Sequence, residues 1–181
     1  MRSDCFLPVS CSFGRARIKA ADEKMLQEII REAELFLESQ LTAGVAADQR
    51  AVTFASVLAA TAAVLIGGYV AAATSGHPLP GLGWVAIPVA AFLLISTAIA
   101  TLSCRPTDWR YPGNNPRFWR EDATSGTSLH DAMADQAELY AKAIIENRDT
   151  LNKNSTLMKW AFRWAGAALV IGCVVALVVA A

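Results

Sequence analysis

Between Arg105 and Arg120 four arginines, Arg105, Arg110, Arg117 and Arg120, are interleaved with Trp109, Tyr111, Phe118 and Trp119 in the run RPTDWRYPGNNPRFWR. Guanidinium forks hold a phosphate through paired N–H donors, and aromatic faces stack a base, so this mixture has the composition of a nucleotide or peptide pocket. The same mixture also makes an interfacial belt, with aromatics at headgroup depth and Arg beside anionic lipid, and that is the plainer reading of a segment directly after an apolar run. Three acids, Asp131, Asp135 and Glu138, share one helix face in a way that suggests metal ligands. Glu138 and Lys142 form an ordinary i,i+4 pair, however, and a solvated face accounts for all three. His77 and His130 fall in separate segments, and the chain has no Gly-x-Ser-x-Gly, no phosphate-cradling glycine loop and no His-Glu-x-x-His. The sequence therefore predicts no catalytic, cofactor or metal site. Cys5, Cys11, Cys104 and Cys173 form no Cys-x-x-Cys pair and read as structural thiols.

The elements that would position these residues follow from where the charges lie. With 54% hydrophobic and 18% charged residues, the chain is too apolar for an ordinary soluble domain and too apolar for disorder. Sixteen Lys and Arg balance sixteen Asp and Glu, so no net field points to nucleic acid. No charge occurs in the 54 residues from Ala51 to Cys104 or in the 18 from Trp164 to Ala181. At 1.5 Å per residue, stretches of about 20 residues cross a hydrocarbon core about 30 Å thick. The fold class predicted is an all-α membrane protein with three transmembrane helices, the first and third extended into the cytosol as long parallel stalks. Its parts are a cytoplasmic tail (1–21), an amphipathic stalk (22–50), a first span (51–74), an external turn (75–83) and a second span (84–104). A cytoplasmic loop (105–127), a second stalk (128–157) and a third span (158–181) complete it. Pro88 falls about one turn inside the second span, where a missing N–H costs least. Seven basic residues precede the first span, nine lie between Arg105 and Arg163, and none occupies the turn or follows the third span. The positive-inside rule then puts the N-terminus in the cytoplasm and the C-terminus in the periplasm.

Both stalks show helical periodicity. Leu26, Ile30, Ala33, Leu37, Leu41, Gly44 and Asp48 make one stripe, and Leu129, Met133, Gln136, Tyr140, Ile144, Asn147, Leu151 and Asn154 the other. Ser128 with Asp131 three residues later forms a capping box for the second. No Pro interrupts either run before the membrane, so each stalk should continue into its span. Ala51, Ala55, Ala59, Ala63, Gly67 and Ala71 form an i+4 row of small residues, and Ala168, Gly172, Ala176 and Ala180 another. Such rows let helices approach closely, either within one monomer or between protomers of a homo-oligomer. Asp48 sits at the span mouth beside Arg50, which is too near in sequence to share its face. An ionised group there is costly unless it pairs, with Asn154, Lys153 or Lys159 as candidates, or lies exposed at the membrane edge.

Ala47-Asp48-Gln49-Arg50-Ala51 at a span mouth, a short hairpin, Arg105-Pro106, Asn115-Pro116-Arg117-Phe118-Trp119 and a long helix feeding a last span resemble the bacterial Pycsar-type transmembrane effectors and the wider SLATT-like families. The resemblance covers roughly residues 22–181. The family pattern at the first mouth is similar to Ala-Asp-x-Lys-Ala, with Arg50 in place of Lys here. It implies a non-enzymatic effector of antiphage defence in the bacterial inner membrane, oligomerising to impair that membrane or conduct ions after a cyclic-nucleotide signal. On this reading the partners are the lipid bilayer, further copies of the chain and a cyclic nucleotide. The sensing loop would be Arg105, Trp109, Arg110, Arg117, Trp119 and Arg120, the span mouth Asp48 and Arg50, and the helix-packing row Ala55, Ala59, Ala63 and Gly67. The alternative is a non-catalytic accessory or scaffold subunit of a larger membrane complex.

Overall fold

The computed structural model describes residue 18 and residues 20–75, 81–113 and 115–180. It is all-α, with four helices and no strand among the described residues: α1 (Glu23–Thr74), α2 (Leu82–Ser103), α3 (Pro116–Ser125) and α4 (Leu129–Ala180). Three of them, α1, α2 and α4, carry windows long and apolar enough to cross a membrane. The chain is a membrane protein. Its residues divide into two compact units, residues 1–43 with 108–149, and residues 44–107 with 150–181.

In the first unit α1 starts at Asp22, whose Oδ1 accepts the Met25 N–H at 2.7 Å and so satisfies one of the free donors of the first turn. At the start of α4 the Ser128 hydroxyl accepts the Asp131 N–H at 3.1 Å and donates to the Asp131 carboxylate at 2.7 Å, the capping box anticipated from the spacing. Leu26 packs against Met133 and Ala134, with Ile18, Ala21 and Ile30 around them. Farther along, Glu34 meets Tyr140 and Gln40 meets the Ile144 carbonyl, so numbers ascend together on both helices and the two stalks run parallel. Leu129, counted in the apolar stripe, is 55% exposed because it opens the helix before the packed face begins. The segment 105–127 is not all loop. Asn115 caps the Arg117 N–H at 3.0 Å, Pro116 occupies the first helical position, and Gly126 at φ 77° ends the turn, so ten residues form α3.

In the second unit Leu58, Ala62, Val89, Ala90, Leu93, Ala165 and Ala168 make the larger core. A smaller cluster joins Ala55, Ala100 and Ala161, one alanine from each span. Alanine at all three positions lets the backbones approach closely enough for the buried Ser96 hydroxyl to donate to the Ala161 carbonyl at 2.6 Å. Rings fill the flanks, Phe54 on Phe162 at 4.4 Å and Phe92 on Trp164 at 5.1 Å. At the far end a Cβ on Gly83 would lie 2.9 Å from the Tyr69 ring, so a larger residue there would have to displace that ring. The hydroxyls of Thr53, Ser56, Thr61 and Thr97 each donate to the carbonyl four residues back, so none is left bare in an apolar setting. Helix α2 begins at Leu82 rather than Trp84, which puts Pro88 in its second turn; there the ring removes the hydrogen bond to the Trp84 carbonyl without ending the helix.

The i+4 row divides along α1. Ala51 and Ala55 are buried and Ala59 half-buried, while Ala63, Gly67 and Ala71 are exposed. Four residues of α-helix turn about 400°, so each step of an i+4 row drifts about 40° around the axis. The residues that stay on the packed face alternate steps of four and three: Ala51, Ala55, Leu58 and Ala62.

Candidate functional site

The polar residues of the first unit converge on the backbone of residues 110–113. Asn147, 1% exposed, accepts the Arg110 N–H through Oδ1 at 3.0 Å and donates to the Arg110 carbonyl through Nδ2 at 2.9 Å. Its amide thus serves both backbone groups of one residue, as a neighbouring strand would. The Tyr140 hydroxyl accepts the Gly113 N–H at 2.9 Å and donates to Glu34 at 2.7 Å. Burial first, and then the bond to Glu34, hold the Tyr140 phenol above its ordinary 10.0, so at neutral pH it keeps the proton it donates. Gly113 adopts φ 91°, a left-handed turn that aims its N–H back at α4.

Beside this strap lies a groove of about 380 Å³ whose lining includes Arg110, Tyr111, Gln136, Tyr140, Lys142 and Glu146. Glu146 holds both cations: Arg110 Nε approaches Oε2 at 2.8 Å and Lys142 Nζ approaches Oε1 at 3.9 Å. Arg110 is 60% exposed, so the pair contributes little stability, about 0–1 kcal/mol. Chemically the groove offers two cations, an exposed phenol ring at Tyr111 and buried amide and hydroxyl groups.

Of the six residues expected in a sensing loop, Arg110 lines this groove. Trp109 is half-buried next to it in sequence. Arg117 and Arg120 sit exposed on α3, Arg117 pairing with Glu121 at 4.0 Å, and Arg105 is exposed in the second unit. The side chain of Trp119 lies outside the described residues, as do Cys5, Cys11 and His77. Lys142, Glu146, Gln136 and Asn147 complete the site without having been singled out for it; Tyr111 belonged to the aromatic run, and Gln136, Tyr140 and Asn147 to the α4 stripe. A buried Asn and Gln within an otherwise apolar stripe were the available signal.

At the first span mouth Asp48 is half-buried and burial raises its carboxyl above the ordinary range. No hydrogen bond or ion pair joins it to Asn154, Lys153 or Lys159. Arg50, two residues on, is exposed. Among the described residues no three His, Cys, Asp or Glu gather as metal ligands. His130 instead bonds the Ala21 carbonyl through Nε2 at 2.9 Å.

A family model described as PycTM, the Pycsar effector protein domain, matches residues 45–181. The chain belongs to the Pycsar effector family. Neither a curated protein nor a solved structure matches it. Membership makes this chain a membrane effector of Pycsar antiphage defence, from a family that acts without catalysis. The match takes in the three spans and every groove residue. It leaves out residues 23–44 of α1, the part of the helix that supplies Glu34 to Tyr140 and Leu26 to Met133.

Proposed function

We infer that this Pycsar effector is a homo-oligomer of the bacterial inner membrane that impairs that membrane or conducts ions when a cytoplasmic signal reaches the Arg110 groove. The observation that carries the reading is helix continuity: α1 and α4 each run 52 residues without a break, and each includes both stalk residues and a span. A ligand that favours one arrangement of the stalks therefore acts on the same continuous helices that form two of the three spans. It shifts the equilibrium only by its differential affinity for the two arrangements. A cyclic nucleotide suits the groove, with its phosphate taken by Arg110 and Lys142 and its base stacked on Tyr111. Glu146 occupies the phosphate position in advance, so ligand entry exchanges an internal anion for an external one.

Assembly is supported by Ala63, Gly67 and Ala71, which face away from the packed core. A Cβ on Gly67 would meet nothing within 4 Å, which leaves room for a second helix at close range. The distribution of basic residues supports a cytoplasmic N-terminus and groove and a periplasmic C-terminus. The test is expression in bacteria with a potential-sensitive dye and with candidate cyclic nucleotides supplied. Depolarisation is expected on triggering, reduced by Asp48→Ala and blunted by Arg110→Gln in the triggered response only. Dye signals at the empty-vector level, with the chain abundant in the membrane, would favour an accessory subunit instead.

A further inference from the structure

Beside the packed face of α1, Ala46, Gln49, Arg50, Thr53, Phe54 and Val57 line a shallow groove of about 480 Å³, with half-buried Phe54 forming its border with the span core. These positions follow i, i+3, i+4, i+7, i+8 and i+11, which at about 100° per residue is one stripe of the helix. The fully buried residues Ala51, Ala55, Leu58 and Ala62 are centred on a different side of the helix, with Phe54 between the two. Chemistry changes in order along the stripe. Gln49, Arg50 and Thr53 bring an amide, a guanidinium and a hydroxyl; Phe54 and Val57 bring a ring and a branched alkyl group. From Arg50 to Val57 is about 10 Å of helix axis, and no charge follows until after the second span.

Arg50 is exposed and makes no hydrogen bond or ion pair among the described residues. Its neighbour Asp48 lies on the half-buried side of the helix and does not neutralise it. Lys159 and Arg163 are the basic side chains of the third span's entry, and Arg163 differs from Arg50 in its surroundings. Phe54 stacks on Phe162, and Arg163, the next residue, places its guanidinium 4.9 Å over the Trp160 ring. Arg163 therefore has an aromatic partner, whereas Arg50 stands uncompensated at the top of an apolar stripe.

We propose that this groove binds one anionic phospholipid, with the phosphate on Arg50 and Gln49 and an acyl chain along Phe54 and Val57. The shared chemistry is a phosphate, which a free nucleotide also carries, but the lower half of the groove offers only hydrocarbon surface and suits the lipid. The proposal rests on the membrane spans and not on the gating reading. Its readout is lipid retention, so either can fail without the other.

The full chain is purified in mild detergent, supplied with phosphatidylglycerol or phosphatidylcholine, and bound lipid is counted by native mass spectrometry. One phosphatidylglycerol should be retained in preference to phosphatidylcholine. Arg50→Gln should weaken retention about five-fold, the equivalent of about 1 kcal/mol per basic residue at a lipid surface. Arg50→Lys, which keeps the charge, should keep most of the preference, and Arg163→Gln should leave it unchanged. Glycerol phosphate, the headgroup without chains, should not displace the lipid at equal concentration. Equal losses from Arg50→Gln and Arg163→Gln would reduce the effect to general surface charge and overturn the proposal. So would an absent phosphatidylglycerol preference, or displacement by glycerol phosphate.

Discussion

The two units are held together by opposite means. In residues 108–149 and their α1 partner, buried polar side chains grip backbone: Asn147 on Arg110, Tyr140 on Gly113, Gln40 on Ile144. In the span unit the buried residues are mostly alanine and aliphatic, and shape decides, as at Ala55, Ala100 and Ala161. Hydrogen bonds can be exchanged one at a time with water or a ligand, so the first unit can rearrange locally. Small-residue contacts are all-or-none, because one added methylene separates two backbones.

The largest effect should come from overpacking the span unit. Ala161→Leu, at a position 0% exposed, should destabilise the monomer by about 3 kcal/mol, read as a lower unfolding midpoint in detergent. If it costs nothing, the alanine contact is not what holds the spans. Next, Asn147→Ala leaves both backbone groups of Arg110 without their partner and should cost about 2 kcal/mol. Fast hydrogen exchange confined to residues near 110 would identify the strap as a local clip; exchange spreading through both stalks would make it a global one. Tyr140→Phe removes the donor to Glu34 and the acceptor of the Gly113 N–H and should cost about 1 kcal/mol by the same measurement.

Ala63→Leu sharpens the contrast from outside the core. Because Ala63 is exposed, the monomer should keep its unfolding midpoint while oligomer mass by light scattering falls. A lowered midpoint with unchanged mass would return the small-residue row to packing within one chain. The smallest effect belongs to Asp48. Its raised carboxyl pKa means the folded state binds more protons than the unfolded one, so stability falls as pH rises from the ordinary 3.8 through the folded value. Asp48→Asn should match wild type in acid and gain a small advantage toward neutral pH in thermal unfolding. An unchanging difference across that range would mean the carboxyl is solvated in both states.

Charge-free length, basic-residue asymmetry and helical period are local properties, and residue order alone determined them: three spans, two stalks that run without proline into the first and third, and the capping box at Ser128. The i+4 rows were equally visible, yet their meaning was not, since a row that drifts about 40° per step must leave any straight interface. Only packing decided that Ala51 and Ala55 turn inward while Ala63 and Gly67 turn out. The groove shows the same limit. Arg110 was legible as a cation beside aromatics, but Lys142, Glu146 and Asn147 lie more than 30 residues away in the chain. They meet it because a polar residue buried in the α4 stripe must find a hydrogen-bond partner, and the backbone of the 108–113 segment supplies one. Periodicity reports which side of a helix is buried; which backbone covers that side depends on contacts between residues distant in sequence, and those exist only once the chain has folded.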